Sequence, residues 1–305
     1  MDRVSDMTGQ SPIVTVIIPT YNSSGTLKLT LETVLRQDFT DYEVWVVGDG
    51  CTDDSEAVIA SFGDDRVHWV NLPANSGTPS APRNEGLRLA RGRFIAYLGH
   101  DDLWFPWHLS ELVDCIEGSN SDFVYSLGML LSPEGVIGTF SLPKNPWHFK
   151  EQICPSNWLH RKTLAKVVGL WSTEIKFGDD RHFLQRILAA NVQLDFQRQL
   201  SVLKYPAGLW QMYSLTSNFP QLQHVEAIRN NAEALRLELL LDLAKTMSWE
   251  RMLFPRHTSR RPLHELVRLF LDIYGRQRWP INNLYYWRWR RSSGLVRKQH
   301  KVSGT

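Results

Sequence analysis

Short apolar runs alternate with amphipathic stretches over the first hundred residues of the chain. Residues 13–18 form a β-branched run that stops at Pro19, a pattern typical of a strand buried on both faces of a parallel sheet. Residues 26–37 carry leucines and a valine at helical spacing, which predicts an amphipathic helix. The same alternation predicts strands at 42–47, 67–72 and 93–98 and helices at 53–62 and 84–90. We therefore expect an α/β fold with a doubly wound, mostly parallel sheet and helices on both faces.

The alternation loosens beyond residue 105. Further strands are predicted at 122–131 and 136–140, and further helices at 161–168 and 179–190. From about residue 221 the chain becomes helical and amphipathic, most clearly at 233–245 and 263–274. We place a domain boundary near residue 220, with an α/β domain over 1–220 and a helical C-terminal extension over 221–305.

Composition narrows the class of protein. The 305 residues are 43% hydrophobic, enough for one large domain, and a net charge of +2 gives no reason to expect a nucleic-acid partner. The three cysteines are an odd number without CxxC spacing, which favours reduced thiols of a cytosolic protein over a disulfide framework or a zinc site. The N-terminus lacks the apolar segment of a signal peptide, and no window approaches 18 unbroken apolar residues. We expect a cytoplasmic protein that is at most peripheral to a membrane.

Polar residues follow three of the predicted strands at their carboxyl ends, where ligands of doubly wound sheets bind. These clusters are residues 20–22, Asp49 and residues 100–102. Tyr21 could stack on a nucleotide base, and the Asp49 carboxylate could accept a hydrogen bond from the imide N–H of uracil. An aromatic residue and an acid at strand ends could equally be ordinary surface residues.

Two further groups carry candidate chemistry. Asp101 and Asp102 are adjacent carboxylates with no Lys or Arg nearby in sequence, so they repel each other unless a cation lies between them. Their oxygen atoms suit Mg²⁺ or Mn²⁺ bridged to a diphosphate. Arg83 and Asn84 begin a predicted helix, and an arginine at a helix N-terminus suits diphosphate recognition.

Four sequence blocks occur in an order and spacing that resemble family 2 glycosyltransferases, which are inverting enzymes with the GT-A fold. The blocks are VIIPTYN at 16–22, VVGDGCTDDS at 46–55, the stretch 75–102, and FGDDRHFLQR at 177–186. The resemblance covers about residues 12–200. It implies a GT-A domain over 1–220, with a nucleotide-sugar part at about 12–105 and an acceptor part at about 106–220.

The resemblance also implies roles for individual residues. Six of them match positions that bind the nucleotide: Pro19, Thr20, Tyr21, Asp49, Arg83 and Asn84. Asp101 matches the acid that holds Mn²⁺ or Mg²⁺, and Asp102 stands beside it as a second candidate ligand. The chain departs from the family pattern at Gly48 and Gly99, where the family usually has acids. The acid that is missing at Gly99 normally helps to bind the ribose or the sugar of the donor.

The second acid pair of the resemblance lies in the last block. Asp180 matches the base that takes the proton from the acceptor hydroxyl, and Asp179 is its neighbour or substitute. Acids in a first helical turn are also favoured by the helix dipole alone. His100, Trp104 and Trp158 are candidates for sugar or acceptor contact, although the histidine could be a simple loop residue and the tryptophans could be core.

Together these residues predict an inverting glycosyltransferase that moves a sugar from a nucleoside-diphosphate sugar, with UDP favoured, to a glycan or lipid-linked acceptor. The aromatic and basic tail at 279–301 could contact an anionic membrane, or could be a solvated end. One alternative is a non-catalytic sugar-nucleotide or glycan-binding module on the same fold. A nucleotidyltransferase normally has a basic, glycine-rich loop after the first strand, and a nicotinamide-dependent enzyme has G-x-G-x-x-G there. This chain has neither motif.

Overall fold

The computed structural model describes residues 11–139, 154–175, 178–210, 212 and 217–253. The predicted helix at 263–274 and the tail at 279–301 lie outside the described residues. In the described part, no helix is long and apolar enough to cross a membrane.

Strands and helices alternate through the first hundred residues, as predicted. The strands are β1 (Val14–Thr20), β2 (Tyr42–Gly48), β3 (Val67–Asn71), β4 (Phe94–Tyr97), β5 (Leu103–Trp104), β6 (Phe123–Ser132), β7 (Gly135–Thr139), β8 (Trp158–Arg161) and β9 (Leu194–Lys204). The helices are α1 (Ser24–Val34), α2 (Ser55–Ala60), α3 (Ser80–Leu89), α4 (His108–Gly118), α5 (Leu164–Val168), α6 (Asp179–Ala189), α7 (Ala207–Trp210) and α8 (Gln221–Leu253).

The strands form one sheet in the order β3-β2-β1-β4-β8-β6-β9-β5, and β7 pairs with β6 at its side. Pairing is parallel from β3 through β4 and between β6 and β9. It is antiparallel where β8 joins β4 to β6, and at β5 and β7. The parallel register pairs Thr20 of β1 with Gly48 of β2, so the loops after these two strands emerge together.

Helices cover both faces of the sheet, which confirms the predicted α/β class. Alternate side chains of β1 point to opposite faces. Val16 and Ile18 pack in one apolar core with α1 and α4, whereas Ile17 packs in another with α3 and α6. All seven residues of β1 are buried, as the β-branched run predicts for a strand covered on both faces.

Two predicted element boundaries were wrong. Helix α3 begins at Ser80, four residues earlier than predicted, because Pro82 occupies the first turn, where a missing N–H breaks no intrahelical bond. Arg83 therefore lies within the helix and does not open it. The predicted helix at 161–168 is strand β8 followed by the short α5, since residues 158–161 complete the sheet between β4 and β6.

The long helix α8 packs against the α/β domain. Val225, Ile228, Leu235 and Leu239 share an apolar core with residues of α1, β5, β6 and β9. The helix is interrupted at Asn231 (φ −162°, ψ 90°), whose Oδ1 accepts a hydrogen bond from the Ala234 N–H at 2.9 Å. Asn231 thus acts as the N-cap of the second part of α8.

Candidate active site

The loops that follow β1 and β2 are tied together by hydrogen bonds. The Asp49 N–H donates to the Thr20 carbonyl at 2.8 Å. Asn22 is in the left-handed region (φ 44°), and its Oδ1 accepts hydrogen bonds from the Thr52 N–H at 2.8 Å and the Asp53 N–H at 3.3 Å. Between these contacts the Tyr21 side chain is 42% exposed. The structure therefore places Tyr21 where its ring is open to a ligand at the carboxyl ends of the strands.

Asp49 is buried beside a loop that sequence reasoning missed. Its two carboxylate oxygens each lie 3.1 Å from the Ser76 N–H, and Oδ2 also accepts the Ser76 hydroxyl at 3.0 Å. The Ser76 hydroxyl is in turn 2.9 Å from the Thr78 carbonyl. Asp49 thus holds the loop that leads into α3, and its Oδ1, which makes one of these three contacts, has a second lone pair for a ligand.

The structure gives a steric reason for the missing acid at Gly48. A Cβ atom on Gly48 would lie 2.5 Å from both the Asn71 side-chain oxygen and the Trp69 ring. Asn71 in turn bonds the backbone of Cys51 through both its Oδ1 and its Nδ2. A side chain at position 48 therefore requires the neighbouring residues of β3 to move.

Arg83 and Asp179 are paired across the site. The Arg83 guanidinium lies 2.6 Å from Asp179 Oδ2, and the Ser80 hydroxyl lies 3.2 Å from the same oxygen. The guanidinium also lies over the Trp171 ring, 4.3 Å from its centroid. The structure therefore brings the residue predicted for the diphosphate next to the predicted base pair, and Trp171 is a supporting residue that the sequence did not reveal.

Asn84 has a structural part in this geometry. Its Nδ2 donates to the Trp171 carbonyl and its Oδ1 accepts from the Trp171 N–H, both at 2.9 Å. This reciprocal pair joins α3 to the segment before α6. The side-chain amide of Asn84 is therefore engaged in fixing Trp171, and a contact of Asn84 with the nucleotide stays a prediction.

Asp180 follows Asp179 in the first turn of α6. Burial raises the pKa of its carboxyl, while the Arg181 N–H (2.7 Å from Oδ1) and the positive charges of Arg83 and Lys204 oppose the rise. A raised pKa strengthens a carboxylate as a proton acceptor. Lys204 is the ion-pair partner of Asp102, so its effect on Asp180 puts the two acid pairs of the sequence within electrostatic range of each other.

Asp102 is occupied by protein partners. Its side chain is fully buried, and Oδ2 lies 2.8 Å from Lys204 Nζ and 2.5 Å from the Ser156 hydroxyl. Although burial alone would lower the pKa of Lys204, the neighbouring carboxylates hold it well above its usual value, so the ammonium stays charged. Lys204, 102 residues away in sequence, supplies a cation that the sequence could not show, and a metal ion on Asp102 stays a prediction that this ion pair disfavours.

The side chains at this place fit a divalent ion poorly. Asp101 is the remaining carboxylate of the predicted pair, and its Oδ1 lies 3.8 Å from the same ammonium group. Gly99 provides no third acid. Among the described residues, no three His, Cys, Asp or Glu side chains are grouped to hold a metal. The donor set is therefore one carboxylate beside a fixed positive charge.

Trp104 and Trp158 lie in the core. Both are fully buried. The Trp104 indole N–H donates to the Ser156 carbonyl at 2.8 Å and its ring stacks on His108, with centroids 4.1 Å apart. Trp158 packs on Phe123 and Trp171. The prediction that either ring contacts a sugar is wrong, since neither presents a face to solvent.

His100 lies between the first strand and the acids. Its Nδ1 is 3.2 Å from the carbonyl oxygen of Pro19, a residue that is itself buried at the end of β1. This contact places His100 at the carboxyl ends of the strands, beside Asp101. A role in holding the sugar or the acceptor stays a prediction.

Two more site residues come from outside the sequence motifs. Lys204 ends β9, and the buried Gln221 begins α8 and donates from Nε2 to the Asp101 carbonyl at 2.9 Å. A lysine directly after the apolar run 200–203 is the one local signal for Lys204. No local signal marks Gln221, since its partner lies 120 positions away.

Comparisons with known proteins agree with the fold. Residues 15–162 match the family model described as Glycosyl transferase family 2. The chain is 29% identical over 132 residues to UDP-Glc:alpha-D-GlcNAc-diphosphoundecaprenol beta-1,3-glucosyltransferase WfgD of Escherichia coli, a match that covers 43% of this chain and 52% of the relative. The chain thus spans about half the length of this relative.

Two solved structures share the fold. One is S. aureus TarS 1-349 in complex with UDP-GlcNAc (TM-score 0.58, 22% identity, 81% of this chain and 74% of that one). The other is the mannosyltransferase PcManGT from Pyrobaculum calidifontis in complex with GDP-Man and Mn²⁺ (TM-score 0.54, 14% identity, 96% and 89%). At these identities the likeness shows the fold. With the family match over 15–162, it confirms the resemblance to family 2 glycosyltransferases read from the sequence.

Proposed function

We propose that the chain transfers a sugar from a nucleoside-diphosphate sugar to a hydroxyl group of a glycan or lipid-linked acceptor, with inversion at the anomeric carbon. The observation that carries this proposal is the ion pair of Arg83 with Asp179, directly beside Asp180, and the charges of Arg83 and Lys204 both act on the Asp180 carboxyl. Displacement at an anomeric carbon needs a base on the acceptor side and positive charge on the side of the leaving diphosphate. The described residues supply both.

In the proposed reaction Asp180 accepts the proton of the acceptor hydroxyl as its oxygen attacks the anomeric carbon. The bond from that carbon to the diphosphate oxygen breaks, and the electron pair leaves with the nucleoside diphosphate. Arg83 and Lys204 stabilise the charge that develops there. Asp179 binds Arg83 at 2.6 Å and so positions the guanidinium.

Tyr21 and Asp49 are proposed to hold the base, with Pro19 and Thr20 shaping the end of β1. Uracil suits Asp49 because the imide N–H is a donor that a carboxylate accepts. The WfgD relative is named for UDP-glucose and an undecaprenyl-diphosphate-linked acceptor, and the TarS structure holds UDP-GlcNAc. These names favour a UDP-sugar and a lipid-linked or polymeric acceptor for this chain. The sequence resemblance implies Mn²⁺ or Mg²⁺. The side chains around Asp101 do not fit such an ion, so the proposed reaction has no step that uses one.

The test is a transfer assay with UDP-glucose and UDP-N-acetylglucosamine as donors and a lipid-diphosphate-linked N-acetylglucosamine as acceptor. We expect UDP release that depends on the acceptor and that Asp180→Asn reduces by about 10²- to 10⁴-fold. Retention of configuration in the product would contradict the proposed single displacement.

The glycines at positions 48 and 99 favour a second candidate, a non-catalytic module that binds a sugar nucleotide. That candidate predicts that calorimetry detects binding of a UDP-sugar, and that no UDP is released with any acceptor. The two candidates are therefore separated by measuring binding and turnover on the same protein preparation.

A further inference from the structure

Lys204 provides a fixed positive charge at the predicted metal-binding acids. Its Nζ lies 2.8 Å from Asp102 Oδ2 and 3.8 Å from Asp101 Oδ1. The Lys204 side chain is 24% exposed to solvent, whereas the Asp102 side chain is fully buried. The Lys204 side chain thus pairs with a buried acid while part of the side chain stays exposed.

Within the described residues, the hydrogen-bonding capacity of the ammonium is only partly used. An ammonium group has three N–H donors and no acceptor. One donor is taken by Asp102, and the 3.8 Å separation from Asp101 is longer than a hydrogen bond. Asp102 is also bound to the Ser156 hydroxyl at 2.5 Å, which fixes the carboxylate and with it the position of Lys204. The ammonium can therefore donate to an anionic ligand without leaving its ion pair.

A divalent ion would compete with Lys204 for the same place. A cation on the Asp101 carboxylate would lie within a few ångströms of the ammonium, where like charges repel strongly. Asp102 could join such an ion only by leaving Lys204, and the acid that the family usually has at position 99 is a glycine here. The charge that a metal would bring is already present as part of the protein.

We propose that Lys204 is the resident cation of the donor site, and that the chain binds a nucleoside diphosphate through Lys204 without a divalent ion. The inference rests on the proposed function, since it takes the ligand to be a nucleoside diphosphate. Arg83 and Lys204 then contact the diphosphate from α3 and from β9. Asp102, fixed by Ser156, holds the ammonium at the phosphate, and Asp101 is not a metal ligand.

The test is calorimetric titration of the full chain with UDP, once with EDTA and once with Mn²⁺. For the wild type we expect the Kd for UDP to agree within about threefold between the two conditions, a difference in binding free energy of less than about 1 kcal/mol. Lys204→Met should lose about 10- to 100-fold in affinity with EDTA, the value of one charge-assisted hydrogen bond. Because Lys204→Met leaves Asp102 buried and unpaired, the double variant Lys204→Met/Asp102→Asn removes both charges and should show the same loss in a better folded protein.

Asp101→Asn separates the two models of the site. If Lys204 is the resident cation, this variant keeps or improves UDP affinity with EDTA, because a negative charge near the diphosphate is removed. Binding of UDP by the wild type with Mn²⁺ but not with EDTA would overturn the inference and leave the proposed function standing. Full UDP affinity in both Lys204 variants with EDTA would also overturn it. Absence of binding of UDP, GDP and dTDP in every condition would overturn the inference and the proposed function together.

Discussion

The side-chain amide of Gln221 donates to the backbone carbonyl of Asp101 at 2.9 Å and is fully buried. Gln221 is the first residue of α8, so the helix that begins the C-terminal extension is attached directly to the acid loop of the site. The neighbouring contact between the Tyr205 hydroxyl and His224 Nδ1, at 2.7 Å, joins the same helix to the end of β9. We infer that α8 positions the acids.

Gln221→Ala tests this attachment. Loss of the amide leaves the Asp101 carbonyl buried without this donor, so we expect the free energy of unfolding to fall by about 1–3 kcal/mol and donor affinity to fall with it. Gln223→Ala is the matched control, because Gln223 is exposed on the same turn of α8. Urea unfolding and calorimetry on both variants give the comparison. Equal behaviour of the two would show that α8 does not position Asp101.

Asp179 and Asp180 should have separable roles. Asp180→Asn removes the proposed base, so we expect kcat to fall by about 10²- to 10⁴-fold with an unchanged Kd for the donor. Asp179→Asn weakens the ion pair with Arg83, so we expect a higher Kd and a smaller loss in kcat. Steady-state kinetics together with donor titration resolve the two effects. A larger loss of kcat in Asp179→Asn than in Asp180→Asn would reverse the assignment.

The raised pKa of Asp180 predicts a pH dependence. Its carboxyl must be ionised to accept a proton, so kcat should fall as the pH drops through a value above the ordinary aspartate pKa of about 3.9. The charge of Arg83 lowers this pKa, so Arg83→Met should move the acidic limb of the profile to higher pH. The measurement is kcat against pH at saturating donor for both proteins. An unmoved limb would mean that another group titrates.

The sequence predicted the elements whose signals are local. Strands β1 and β2 are continuous apolar runs, and the motif acids follow strand ends within a few positions. Strand β9 was missed because its first half is polar and half-buried, and it forms only by pairing with β6 about 70 residues earlier. Lys204 and Gln221 were missed for the same reason, since each meets its acid more than 100 positions away.

The local sequence could not predict which aromatic residues are buried either. Trp104 and Tyr21 both follow predicted strands by a few residues, yet one is fully buried and the other is 42% exposed. The difference arises because α1, α4 and β9 enclose Trp104, which depends on how distant parts of the chain pack.

The steric account of Gly48 predicts a stability change. A Cβ atom at this position would lie 2.5 Å from Trp69 and from Asn71, so Gly48→Ala should lower the free energy of unfolding by about 1–3 kcal/mol. Gly118→Ala is the control, since no atom lies within 4 Å of a Cβ built there and the glycine ends helix α4. Denaturant titration should show no loss for Gly118→Ala. A similar small effect in both variants would contradict the steric account.

Two buried histidines predict how stability depends on pH. Burial lowers the pKa of His108 to about 3 and that of His160 to about 4, whereas both rise to about 6.5 on unfolding. A depressed folded pKa gives stability that is complete above the unfolded pKa and is lost as the pH falls. Below pH about 6.5, each histidine should therefore lower the free energy of unfolding by about 1.4 kcal/mol per pH unit.

His108→Leu removes one of the two groups, so the slope of its unfolding free energy between about pH 4.5 and 6 should be smaller than that of the wild type by this amount. Identical slopes in urea titrations of the two proteins would show that His108 is protonated in the folded state, in spite of its contact with the Ser201 hydroxyl at 2.8 Å.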